Sequence, residues 1–157
     1  MDRRQTRPPQ QWLIVDERLE DQLWAAMKRL PPGHGVLVLY HGIPKRERQH
    51  LLTRLRRIAQ ARQLMVVDEA NGEAARVHSV RELRRALLAH TPLILLSPLF
   101  PTRTHPGWRP IPRMRAAALA RLGRRRLLAL GGMDARRFRQ VQPLGFRGWA
   151  AIDAFRT

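Results

Sequence analysis

Runs of consecutive apolar residues alternate along the chain with stretches where apolar residues recur every three or four positions. Trp12-Leu13-Ile14-Val15, residues 35–40, Leu64-Met65-Val66-Val67, Leu93-Ile94-Leu95-Leu96 and residues 126–130 read as strands covered on both faces. Between them, residues 17–30 place Leu19, Leu23, Ala26, Met27 and Leu30 on one helical face, until Pro31-Pro32-Gly33 stops the helix. Pro44 opens a second helix over 45–62, with Leu51, Leu55, Ile58 and Ala59 inward. A third over 80–89 turns Val80, Leu83, Leu87 and Leu88 inward, and a fourth covers about 112–122. Asp134 reads as the N-cap of a fifth over 135–141. Val77 closes a short strand, and Gly145 precedes a last one over roughly 147–152.

Apolar strands separated by amphipathic helices specify a parallel sheet covered by helices, either an open doubly wound sheet or a closed barrel. No Gly-x-Gly-x-x-Gly follows the first strand and no P-loop occurs, which disfavours the open nucleotide-binding sheet. The notable polar residues, Asp16, His41, Asp68, His78, Ser97, Gly131-Gly132 and Asp153, all directly follow strands. One rim of a barrel collects such positions. Strand starts fall near 12, 35, 63, 76, 93, 126 and 147, and the step from 63 to 76 cannot hold a strand plus a crossover of at least ~10–12 residues. The expectation is an α/β fold, a shortened TIM-barrel-like (β/α) barrel of about seven parallel strands. Its fourth βα unit is missing between Asp68 and Val77. The remaining strands either close more tightly or leave an edge between 63–68 and 76–79, and an exposed edge predicts a homodimer through that gap.

Length and composition narrow the function. The 157 residues fit one domain, expected over 11–157 behind a disordered or extended arm at 1–10. Cysteine is absent, which excludes disulfides, thiolate metal sites and a cysteine nucleophile. The basic N-terminus runs into Pro8-Pro9 without an apolar core, so no signal peptide is expected, nor a membrane span, and the expected address is the cytoplasm. The formal charge is +18, with twenty-eight arginines and two lysines. Arginines occur on every predicted helix and aromatic residues do not alternate with them, so they read as solvated helix faces, and nucleic acid is not the expected partner. A basic nucleic-acid-binding protein is the second alternative to the enzymatic reading below.

Three stretches carry chemistry. Ser97-Pro98-Leu99-Phe100-Pro101-Thr102-Arg103-Thr104-His105 empties a strand into a loop with hydroxyls and cations, the groups that hold a phosphate monoester. Gly131-Gly132 lies between a strand and a helix, where backbone N–H groups can meet an anion. Gly148-Trp149-Ala150-Ala151-Ile152-Asp153 is a small-residue final strand. Together they resemble, in order and spacing, the C-terminal half of the thiamine phosphate synthase and TenI family. That family has a Ser-Pro-x-Phe-x-Thr-x-Ser/Thr-Lys loop, an Ala-x-Gly-Gly strand end and a closing Gly-x-Ala-x-Ile/Val-Ser strand. Val77-His78-Ser79-Val80-Arg81-Glu82 resembles its fifth-strand motif. His105 stands where the family has Lys, and Asp153 where it has Ser.

The resemblance implies a thiamine-phosphate diphosphorylase-like transferase of thiamine biosynthesis. An aminopyrimidine diphosphate loses diphosphate with Mg²⁺ assistance, and a thiazole phosphate captures the resulting cation. It implies a thiazole-phosphate site at Thr102, Thr104, His105, Gly131, Gly132 and Asp153. Asp68 would be the metal ligand, although the family's Asn-Asp-Arg element and second metal carboxylate have no counterpart. His41, Lys45 and Arg46 would meet the pyrimidine diphosphate, displaced from the family's Gln-x-Arg-x-Lys positions. His78 matches the proton-shuttling residue of tautomerase relatives. The alternative on the same scaffold is therefore a TenI-like thiazole tautomerase, or a degenerate paralogue that binds thiazole phosphate. Either way the expected partners are small phosphorylated molecules.

Overall fold

The computed structural model describes residues 7–19, 21–103 and 105–152. Seven parallel strands, β1 (Gln11–Val15), β2 (Gly35–Val38), β3 (Met65–Asp68), β4 (Ala74–Val77), β5 (Leu93–Leu96), β6 (Leu128–Ala129) and β7 (Gly148–Ala151), form one sheet in the order β3-β2-β1-β7-β6-β5-β4. Five helices connect them: α1 (Gln22–Arg29), α2 (Lys45–Arg62), α3 (Val80–Leu88), α4 (Arg113–Leu122) and α5 (Ala135–Val141). The sheet is a nearly closed barrel, with helices on its outside.

Alternation along the strands sorts the core into an inner and an outer layer. Trp12 and Ile14 of β1 point into the barrel with Leu37, Leu39, Leu95, Leu128, Ala74 and Ala150. Their neighbours Leu13, Val15, Val36 and Val38 face α1 and α2. Ile94, Leu96, Ala129 and Trp149 face the side of α3, α4 and α5. Trp12 fills the space beside Gly35, where an added Cβ would lie 2.2 Å from the indole. Its Nε1 donates to Pro9 O at 2.9 Å, and Trp149 N donates to Gln10 O at 2.8 Å, so residues 9 and 10 run into the barrel. Residues 1–6 of the expected arm lie outside the described residues.

The missing unit falls where the spacing puts it. β3 and β4 are joined by a 3₁₀ turn, Glu69–Asn71, with no helix, and they share no ladder. A few local contacts span the seam instead. Asp68 N donates to Glu73 Oε2 at 2.9 Å, Glu73 N to Asp68 O at 3.3 Å, and Arg76 grips Glu69 through Nε and Nη2 at 2.7 and 2.8 Å. Two local expectations need correction. The first helix starts at Gln22, because turns closed by Leu19 N→Asp16 O and Gln22 N→Leu19 O occupy the segment before it. Leu88 is 82% exposed: five residues beyond Leu83 is 500°, about 140° off the buried face at 3.6 residues per turn.

Candidate functional site

At the C-terminal ends of the strands a cavity of about 540 Å³ opens between the β1, β4, β5 and β6 loops. Of the residues singled out by sequence, His78, Thr102, His105, Gly131 and Gly132 line it. Ile14, Leu39, Leu130 and Ala150 form its apolar floor. Sequence reasoning missed Arg18, Arg76, Arg137 and Trp108, which also line it. Thr104 and Asp153 lie outside the described residues. Of the four lining arginines, Arg18 pairs with Asp16 and Arg76 with Glu69, so Arg103 and Arg137 are set against the one lining carboxylate, Asp134, and the cavity is net basic.

The Gly131-Gly132 segment owes its composition to close approach. Both residues have positive φ, 97° and 61°. A Cβ on Gly132 would lie 2.4 Å from Pro101 O, and one on Gly131 2.8 Å from Pro98 Cα. The 98–101 loop is laid directly on them, with Leu99 N→Leu130 O at 3.0 Å and Phe100 N→Gly131 O at 3.2 Å. The start of α5 differs from the expected anion seat. Asp134 caps it, accepting from Arg137 N at 2.7 Å, so a carboxylate already serves that helix end. Positive charge comes instead from Arg137, whose Nη1 donates to Gly132 O at 2.6 Å, and from Arg103.

His78 is held in one orientation. Its Nδ1 lies 2.9 Å from Ser97 O and 3.1 Å from Ser97 Oγ. A carbonyl only accepts, so Nδ1 carries the proton and Nε2 is the ring's acceptor. Trp108 meets His78 edge-on, with centroids 5.3 Å apart, and stacks on His105 at 4.2 Å. The long proline-rich loop after β5 thus lays an indole between the two cavity histidines. Ser79 caps α3, accepting from Glu82 N at 3.2 Å, which fixes the helix start beside His78.

The residues assigned to pyrimidine diphosphate and metal sit elsewhere on the rim. His41, Lys45 and Arg46 are exposed and outside the cavity lining. His41 Nε2 lies 2.9 Å from Glu69 Oε1, and its N–H, with that of Gly42, reaches Glu17 Oε1 at 3.3 Å. The Glu17 carboxyl is held below its ordinary range. Its own backbone N–H is the largest cause, burial opposes it, and the N–H groups of Gly42 and His41 and the His41 charge add to the lowering. Asp68 is buried, and its Oδ1 is shared between Arg48 Nη2 and the N–H of Ala70, the latter at 3.1 Å. Among the described residues no three His, Asp or Glu side chains gather as a metal-binding group. A carboxylate committed to a guanidinium and a turn cap does not fit a Mg²⁺ ligand.

No helix among the described residues is long and apolar enough to cross a membrane. Neither a protein-family model nor a curated protein sequence matches the chain. Among solved structures, a thiamine phosphate pyrophosphorylase from Pyrococcus furiosus superposes with a TM-score of 0.74 at 17% identity, over 95% of this chain and 88% of that one. The chain therefore has the same barrel fold as that pyrophosphorylase, built here with seven strands.

Proposed function

We propose that the cavity binds a thiazole phosphate and that His78 moves a proton on the bound ring, the chemistry of the TenI-type branch of this fold. One observation carries the reading. The described residues that the resemblance assigns to the thiazole-phosphate half line a single cavity with His78, while those assigned to the diphosphate and metal half lie outside its lining. In this reading the N–H groups around Gly131 and Gly132 meet the phosphate, and Arg103 and Arg137 neutralise it. The apolar floor takes the ring. His78 Nε2, the ring's acceptor because Nδ1 donates to Ser97 O, accepts and returns the proton.

The second reading is the transferase itself, favoured by a solved structure of that fold being a thiamine phosphate pyrophosphorylase. It needs diphosphate contacts and metal ligands that the Arg48-bound Asp68 does not supply as it stands. Titration calorimetry with thiazole phosphate tests the binding. Loss of a ring proton to D₂O, followed by NMR for the parent and His78→Gln, tests the proton transfer. Binding with His78-dependent exchange supports the proposal. Magnesium-dependent thiamine phosphate formation from both substrates supports the transferase, and absence of binding refutes both.

A further inference from the structure

We propose that the end of the barrel opposite the cavity docks the phosphate backbone of a nucleic-acid duplex. The arginines are not neutralised evenly. Residues 1–79 carry fourteen bases against nine carboxylates, whereas residues 80–147 carry fifteen arginines against two. All four ion pairs among the described residues join groups between positions 16 and 76. The two carboxylates of residues 80–147 are occupied at helix starts: Asp134 caps α5, and Glu82 Oε1 accepts from Ser79 Oγ at 3.3 Å. Arginine lies on every helix, so the unevenness comes from where the carboxylates are, not from where the arginines are.

The charge is densest where α4 turns into β6. Arg124 and Arg125 hold φ of 55° and 59°, the left-handed region that non-glycine residues adopt only at a cost. Gly145 lies alongside, where an added Cβ would meet Arg125 Cγ at 3.3 Å, and Arg147 N donates to Leu127 O at 2.9 Å. The turn and the start of β7 thus bring Arg121, Arg124, Arg125, Arg126 and Arg147, all exposed, to the N-terminal end of adjacent strands. The exposed large apolar residues include one aromatic, Trp108, and it lies at the cavity mouth on the other end. A basic face without a stacking platform suits a partner whose bases are already stacked on each other, and it reads backbone rather than sequence.

The test is fluorescence anisotropy of a labelled 20-base-pair duplex of mixed sequence against the full chain. Five phosphate contacts give a slope of log K against log salt of about −4.5, a loss of roughly 500-fold between 50 and 200 mM. The triple variant Arg124→Asn, Arg125→Asn, Arg126→Gln is expected to weaken binding at least about tenfold at 50 mM and to flatten the slope by about 2.7. Asparagine tolerates the left-handed region, so the turn is kept. The control Arg54→Gln, Arg56→Gln, Arg57→Gln removes the same charge from α2 and is expected to change affinity less than about twofold. Should circular dichroism show the turn variant unfolded, Arg121→Gln with Arg147→Gln carries the same expectation, with a slope flatter by about 1.8. The proposal is overturned by no duplex binding at 50 mM, by a control that loses as much as the turn variant, or by phosphatidylglycerol vesicles being bound where duplex is not. Thiazole phosphate affinity is expected to be equal in parent and turn variant, which separates this face from the cavity.

Discussion

Replacing Asp68 by Ala asks whether that carboxylate holds the fold or a metal. Its side chain is 5% exposed and that of Arg48 15%, so the pair is largely out of water. Removing the carboxylate strands a buried guanidinium, a step that typically costs 3–5 kcal/mol. It also uncaps the turn at Ala70 N, worth about 1 kcal/mol. Arg48 keeps one partner, Tyr40 O at 3.2 Å, which places the sum toward the lower end, at about 4 kcal/mol. Urea unfolding reads the loss as a shift of the midpoint at constant slope. Arg48→Met completes the cycle: with both charges gone, the double variant is expected to be at least about 1 kcal/mol more stable than the sum of the single losses predicts. Magnesium at millimolar concentration is expected to leave the parent's midpoint unchanged. A cost below about 0.5 kcal/mol for Asp68→Ala, or a midpoint that rises with magnesium in the parent and not in the variant, would refute the structural role and restore Asp68 as a ligand.

Gly132→Ala is expected to lower stability by about 2 kcal/mol and to weaken thiazole phosphate binding, because its Cβ meets Pro101 O; denaturation and calorimetry together check it. Gly35→Ala forces a methyl into the Trp12 ring and is expected to cost about 3 kcal/mol, read from the urea midpoint and the loss of blue-shifted indole fluorescence. Ser97→Ala removes one of the two groups on His78 Nδ1 and is expected to slow ring-proton exchange several-fold while leaving thiazole phosphate affinity unchanged. Burial holds the His34 imidazole below its ordinary value, outweighing the Pro31 carbonyl, so the unfolded chain takes up its proton first. Stability is therefore flat above pH ~6.5 and falls as the pH drops through the folded-state value; urea midpoints at pH 7 and 5 are expected to differ less in His34→Gln than in the parent.

The strands were legible because parallel strands buried on both faces leave uninterrupted apolar runs, and the lost unit was legible because thirteen residues do not span a strand and a crossover. Asp134 as a cap followed from position alone, as did His78 and Gly131-Gly132 meeting at one mouth, whereas Thr102 and His105 were assigned through the resemblance, and His41 and Asp68, which also follow strands, lie outside the lining. The cavity arginines did not. Arg76 enters because it shares the inward face of β4 with Ala74, and a four-residue strand is too short to show its alternation. Arg137 enters through a contact with Gly132 O that depends on the tertiary path of the glycine turn. Against twenty-eight arginines, neither stands out by residue type. Trp108 is one of many residues in a loop whose proline content announces irregularity and nothing about direction.

The seam between β3 and β4 makes the hydrogen-bonded sheet an open ribbon, with ends at these two strands. Separating them breaks the Asp68–Glu73 contacts and the Arg76–Glu69 grip, all at the surface or just under it, and leaves every ladder intact. Exchange of backbone amides with deuterium should then be graded around the barrel. It should be slowest at β1 and β7, paired on both sides in the middle of the ribbon, and fastest at its two ends. The wall of the cavity that carries Arg76 belongs to one of those ends, so this side of the mouth has the freedom to yield to a ligand while the Gly132 side stays fixed.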